Sequence, residues 1–301
     1  MGTARTRCAR SCERVTAGKT AGGAGAPRAE AGLSLVEIMV AMAVGLIVVL
    51  IATTIYLQGA SSFNFRVGQS ENLGNSRYAL GTMAEAFAKA GYRRDPMQEM
   101  DAAFPADSAR HSNGCQFTQA GQAIYAAGTD ALCIRYQARD AQDSDCAGQA
   151  AGISGLKAYE APAAAAVGAG LIVEKYGIDD GRLTCHAAAK AGAKTEPEPV
   201  PVADGVKALH IEFGVGATTD SLAERHVESF KTSLPTEAEA VRALRYAVLL
   251  ASASGGLTGG MASSVCTRWE DMGGDKDRCD TSKGHLYQVA SGTVTLRNLM
   301  P

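Results

Sequence analysis

The longest run of apolar positions lies near the N-terminus, from Leu35 to Leu57, where Glu37 is the only charged residue. The twenty residues from Ile38 to Leu57 carry no charge, enough for a helix across a hydrocarbon core of roughly 30 Å. Beyond it Leu73, Leu80, Met83, Phe87 and Ala90 recur on one helical face. The pattern predicts a single helix from about Ser34 to Ala90, about 85 Å long at 1.5 Å per residue. Gly91 and the nearby Pro96 end it. Gly59, Gly68, Gly74 and Gly81 each cost roughly 1 kcal/mol relative to alanine inside a helix, so an interrupted or bent helix is expected.

After Ala90 the pattern becomes one of short β-type runs. Ala131–Gln137 and Gly170–Tyr176 read as strands, with Arg182–Cys185 placed beside one of them. Val206–Val215 alternates over much of its length. Val241–Ala251 is read as a strand although its composition permits a helix, and Leu286–Leu299 alternates to the end of the chain. The Ala- and Pro-rich stretches EAPAAAAVGAG and AAAKAGAKTEPEPVPVADG read as surface loops or linkers. They interrupt one domain rather than divide two, because strands on both sides are needed for one sheet. The fold class is α+β: a long N-terminal helix, membrane-spanning in its first half, packed on an antiparallel β-sheet domain.

Charge adds direction. The net charge of −2 hides six basic residues against two acids in residues 1–32, which leaves 23 basic and 29 acidic residues, or −6, for the remainder. A mildly acidic remainder without a basic stripe argues against a nucleic-acid surface. Basic residues ahead of the apolar segment leave the N-terminus cytoplasmic and export the chain beyond that segment. Of eight cysteines, Cys8 and Cys12 precede the apolar run and Cys115, Cys133, Cys146, Cys185, Cys266 and Cys279 come after it. Six on the far side of an anchor fit disulfides in an oxidising compartment; a zinc site competes, but no CxxC pair occurs among them.

Glu37 is the position that an ordinary anchor does not explain. An acid deeper in the bilayer costs roughly 2.5–3.5 kcal/mol on insertion scales, which an opposite charge from a partner would offset. A secretory signal peptide is excluded by the length of the apolar run and the lack of an A-x-A-like site. A plain signal anchor stays open. Gly32-Leu33-Ser34-Leu35-Val36-Glu37 followed by an apolar helix resembles the class III signal of type IV prepilins. The resemblance implies cleavage by prepilin peptidase between Gly32 and Leu33, N-methylation of Leu33, and a Glu37 that attracts the free amine of a neighbouring subunit. Two features depart from the usual pattern: Leu33 stands where phenylalanine is commoner, and the leader of 32 residues is long.

NSRYALGTMAEAFAKAGYRRDP, from Asn75 to Pro96, together with DGVKALHIEFGV and the terminal TVTLRN, resembles the PilW minor pilins. That resemblance implies a leader of residues 1–32, a membrane helix over 33–57, a periplasmic continuation over 58–92 and a β-rich domain over 93–301. It implies an inner-membrane protein, and a pilus tip or filament subunit after assembly. Its role would be to prime or cap the type IV pilus, in support of adhesion, twitching motility or DNA uptake. Its partners would be prepilin peptidase, other minor pilins, the major pilin and a tip adhesin. A minor pseudopilin of type II secretion is the nearest alternative. A signal-anchored periplasmic enzyme or binding protein is a third.

Six cysteines allow fifteen pairings. The preferred set is Cys115–Cys133, Cys146–Cys185 and Cys266–Cys279, the first two guided by chain proximity and a PilW-like arrangement, the last closing a short loop before the terminal strand. GGDKDRCD at Gly273–Asp280 lacks the glycine and distal glutamate of an EF-hand loop and reads as a solvated acidic turn. The five histidines show no metal spacing. His186 beside Cys185 invites a Cys–His nucleophile reading, but adjacency in sequence is not the spatial relation required. No G-x-S-x-G, P-loop or dinucleotide fingerprint appears. The reading is a chain with no metal, no cofactor and no catalysis of its own.

Overall fold

The computed structural model describes residues 32–107, 109–163, 165–190, 192–217, 226–233 and 239–300. Cys8, Cys12 and the predicted leader up to residue 31 lie outside the described residues. The chain divides into two compact units between Ile55 and Tyr56.

In the first unit, residues 35–55 are helical and every side chain is exposed. The helix to which they belong, α1 (Leu35–Ala88), contains an 18-residue window of mean hydropathy 2.8 with none of it buried, long and apolar enough to cross a membrane. The Thr53 and Thr54 hydroxyls donate to the carbonyls of Val49 and Ile51, both at 2.8 Å. Each threonine thus satisfies itself within the helix, as an apolar solvent would require.

The helix is continuous, so the expected interruption is corrected. Nothing lies within 4 Å of where a Cβ would stand on Gly59, Gly74 or Gly81. Gly68 is different: a Cβ there would stand 3.0 Å from Leu257 and 3.2 Å from Ser252. In the second unit α1 buries Gly68, Asn72, Ser76, Ala79, Met83, Ala86 and Phe87. Leu73, expected on this face, is 43% exposed. The early part of the buried stripe is small and polar, so a count of large apolar residues rotates the face the wrong way. Asn72 donates to the Leu286 carbonyl at 2.8 Å. Further along, Phe87 is wedged edge-on between the rings of Tyr176 (5.7 Å) and Tyr246 (5.3 Å).

Among the described residues nine strands form two antiparallel sheets, which corrects the expectation of one. The first runs in the order β1 (Ile124–Ala126), β2 (Ala131–Gln137), β3 (Leu171–Asp179), β4 (Arg182–Ala187) and β5 (Val200–Asp204). The second has β7 (Ser229–Lys231), β6 (Val206–Ala217), β8 (Glu239–Ala251) and β9 (Tyr287–Thr295), in that spatial order. β8 is a strand because it is paired along both sides, with β6 and β9. Leu132, Ile134, Tyr136, Leu183, Leu209, Phe213, Leu244 and Val248 join Met83 and Phe87 in one core that both sheets share.

Besides the short strands β1 and β7, three elements form where no helix or strand was expected. β5 lies inside the Pro-rich spacer, an edge strand that accommodates Pro201. α2 (Met100–Ala103) and α3 (Ser264–Asp271) each cover the outer face of a sheet. Ala103 and Phe104 pack with Phe117, Leu171 and Val173, so β2 is buried on both faces. α3 is capped by Ser263, whose hydroxyl accepts from the Val265 N–H at 3.2 Å. Its Trp269 packs on Ala208, Ala247 and Leu249.

The last strand ends at Thr295, earlier than the alternation suggested, although the Leu296 N–H still bonds the Arg242 carbonyl opposite it. A 3-10 turn at Arg297–Leu299 comes next. It brings Asn298 to the end of α1, where the amide donates to the Ala88 carbonyl at 2.8 Å. Gly91, at φ +72°, lies beneath Leu299, and a Cβ there would collide with a leucine methyl. This turn therefore satisfies the orphan carbonyl of Ala88 at the end of α1.

Candidate assembly surface

Gly32 and Leu33 precede α1 in the first unit, and Leu33 is 70% exposed. The Ile38 N–H reaches back to the Ser34 carbonyl at 3.1 Å, and Glu37 occupies the first turn of the helix. An acid here faces the positive end of the helix dipole. The carboxylate is exposed and available to an opposite charge.

A second feature runs along α1 in the second unit. Tyr56, Phe63, Val67 and Tyr78 are all exposed, and with Gly74 and Gly81 they recur at steps of seven, four, seven, four and three. That spacing places them on one line, on the face opposite the buried Asn72, Ala79 and Met83. Bulky rings alternate with open glycines, the relief that lets another helix approach closely. The spacing was present in the sequence, but Leu73 and Leu80 on the other faces drew the reading of the helix elsewhere.

Away from the helix the cysteines are joined Cys115–Cys133, Cys146–Cys185 and Cys266–Cys279, with Cα separations of 5.8, 6.2 and 5.7 Å. The first ties the segment covering β2 to that strand. Arg135, 1% exposed, holds the same segment by donating to the carbonyls of Phe104 (3.0 Å) and Pro105 (2.9 Å) while its guanidinium lies over the ring of Phe117. Burial pulls this group down to about 10, partly offset by Asp107. The third bridge pins α3 to the acidic turn, where Asp275 and Asp280 spend carboxylate oxygens on local backbone N–H groups.

The second bridge borders a buried carboxylate that sequence reasoning missed. Glu174 is 1% exposed and accepts from the Tyr136 hydroxyl (3.2 Å), the Tyr176 hydroxyl (3.0 Å) and the Cys146 N–H (2.8 Å). Burial raises its pKa, and Lys89, whose ammonium donates to the Tyr136 hydroxyl at 3.3 Å, opposes that shift. The two tyrosines are pushed upward by burial and by Glu174 itself. The sulfurs of Cys146 and Cys185 approach this carboxylate, yet both are spent in their mutual bond and offer no thiolate to a metal. His186 lies beside an oxidised Cys185, so the pair holds no thiol nucleophile. The site is a structural clamp.

Two stretches of the chain match known families. Residues 27–53 match the prokaryotic N-terminal methylation motif, and residues 172–298 match type IV pilus-assembly protein W. The chain carries a PilW region behind a prepilin-type N-terminus. Together the two matches support a role in pilus assembly, a membrane-anchored N-terminus and association with other pilins. The family is structural rather than enzymatic. Among solved structures, a type IV-like pilin from Thermus thermophilus aligns with a TM-score of 0.38 and 14% identity over 75% of this chain and 98% of that one. No curated protein matches.

Proposed function

We infer that this chain is a minor pilin of the PilW family that primes or caps the type IV pilus by helix packing. It is cut by prepilin peptidase between Gly32 and Leu33 and methylated on Leu33. It is held in the inner membrane with its domain in the periplasm. Glu37 attracts the N-terminal amine of a neighbouring subunit, and the line of Tyr56, Phe63, Val67 and Tyr78 packs on neighbouring helices outside the bilayer. The domain serves contact rather than chemistry, and the pili so initiated support adhesion, motility or DNA uptake. The observation that carries this reading is the presence on one chain of the methylation motif, an apolar helix beginning within it, and the PilW region.

The test is peptide mapping of the N-terminus in membrane-extracted protein from strains with and without prepilin peptidase. The expected product begins at methylated Leu33 only when the peptidase is present. Retention of residues 1–32 in both strains would return the chain to the class of plain signal anchors.

A further inference from the structure

Where α1 ends, a cleft opens that takes no part in helix packing. Its volume is about 380 Å³, and Lys89, Tyr92, Tyr136, Arg139, Ser144 and Asn298 are among its walls. That lies at the small end of the range for small-molecule sites, roughly 300–1,000 Å³.

The backbone around the cleft is already spent. The Ala88 carbonyl accepts from Asn298, the Gln137 N–H donates to the Tyr92 carbonyl at 2.9 Å, and the Arg139 carbonyl accepts from Arg94. A peptide strand laid here would find few of the main-chain partners by which such segments are recognised. What remains open belongs to side chains.

Among these, charge is unbalanced. Asp143 is bound on both oxygens by the Arg139 guanidinium, at 2.9 and 3.2 Å, and also accepts the Arg139 N–H at 2.7 Å. That carboxylate is committed. Lys89 is not: its ammonium donates to the Tyr136 hydroxyl at 3.3 Å, rests over the Tyr136 ring at 5.0 Å from the centroid, and forms no ion pair among the described residues. The ring positions the ammonium without neutralising it. Glu174, behind the Tyr136 hydroxyl, has its pKa raised by burial and so favours its neutral form.

Beside this cation stand groups that accept as well as donate. The Asn298 amide nitrogen is used on the carbonyls of Ala88 and Ala90, which leaves its Oδ1 open. The hydroxyl of the exposed Ser144 is open too, and the half-buried ring of Tyr92 offers a flat apolar wall. A simple carboxylate would use the cation and leave the rest idle. A carboxylate carried on a hydroxylated ring would use all of them.

We propose that this cleft is a binding site for an acidic sugar of the hexuronic acid class. Lys89 takes the carboxylate, Asn298 and Ser144 take hydroxyls, and the ring packs on Tyr92.

The test is calorimetric titration of the full-length, detergent-solubilised protein with D-glucuronate, beside D-glucose, acetate and a glutamate-rich peptide. Glucuronate is expected to saturate in the millimolar range, with glucose and acetate weaker by about tenfold or more. Lys89→Gln should weaken glucuronate by a similar factor while its thermal midpoint stays close to that of the parent, since Lys89 is exposed. Several outcomes overturn the proposal. Absence of saturation by glucuronate removes the site, and equal binding of glucose removes the role of the carboxylate. Equal binding of acetate reduces the cleft to an anion contact, and tighter binding of the peptide gives it to a protein partner. Unchanged glucuronate affinity in Lys89→Gln places the sugar elsewhere. Protein that retains residues 1–32 should bind equally well, so failure of the minor-pilin reading leaves this result intact.

Discussion

The Glu174 carboxylate is buried with three donors around it and no cation in direct contact. Its pKa is raised above the usual 4.5, chiefly by burial. Folding therefore favours the protonated form. The stability it contributes is fully present below about pH 4.5, the unfolded value, and is lost as pH rises through the higher folded value. Glu174→Gln removes that titration and keeps an oxygen acceptor for the Cys146 N–H. The thermal midpoint of the variant, measured relative to the parent, should rise steadily as pH goes from 4 toward 8. A pH-independent difference would show that the carboxylate stays ionised in the folded protein. No local signal marked this residue: Glu174 stands in a run, GLIVEKY, that looks like any strand with a solvent-facing acid. Only the segments folded over both faces of the sheet decide that it is buried.

At the scale of the element, α1 carries two opposed faces with different purposes. The buried face binds the sheets through Met83, Phe87 and the close approach at Gly68. The opposite line exposes Tyr56, Phe63, Val67 and Tyr78. Phe63→Ala and Tyr78→Ala remove contacts that the isolated chain does not make, so each should change unfolding free energy by less than about 0.5 kcal/mol. If the line packs against other subunits, the same variants should reduce pilus number in cells while the processed protein remains at parental level. Normal piliation in the double variant would remove this face from assembly. The helix itself was legible, with its start and end close to those expected, because a strong apolar run and a glycine stop are local signals. Its buried face was misjudged at Leu73, since burial of glycine, asparagine and serine is decided by the segments that cross over them.

At the scale of the whole molecule, the three disulfides among the described residues staple parts that the core does not hold by itself. Cys266–Cys279 spans 13 residues and Cys146–Cys185 spans 39. By the loop-entropy argument the longer bridge should stabilise more, by about 1 kcal/mol. Paired substitution to alanine, with denaturant unfolding as the readout, should rank Cys146/Cys185 as the costlier loss, and its cost should grow further because the Cys146 N–H also serves Glu174. Equal costs would mean that local packing around α3, not loop closure, sets the value of the shorter bridge.

The chain determined locally its N-terminal helix and its longer strands. Glu37 at the head of an uncharged run, the long helix, and the strands at Ala131–Gln137, Val206–Ala217 and Glu239–Ala251 come from periodicity and composition within short windows. Tertiary structure decided the rest. Two sheets replaced one because β6 turns from β5, at Asp204–Val206, to pair with β8 instead. β5 formed in a proline-rich stretch because an edge strand needs donors on only one side. The final turn left the strand and reached the end of α1, where the Ala88 carbonyl takes a partner 210 positions away. Hydrogen-bond satisfaction and burial are properties of the assembled chain, and no window of sequence contains them.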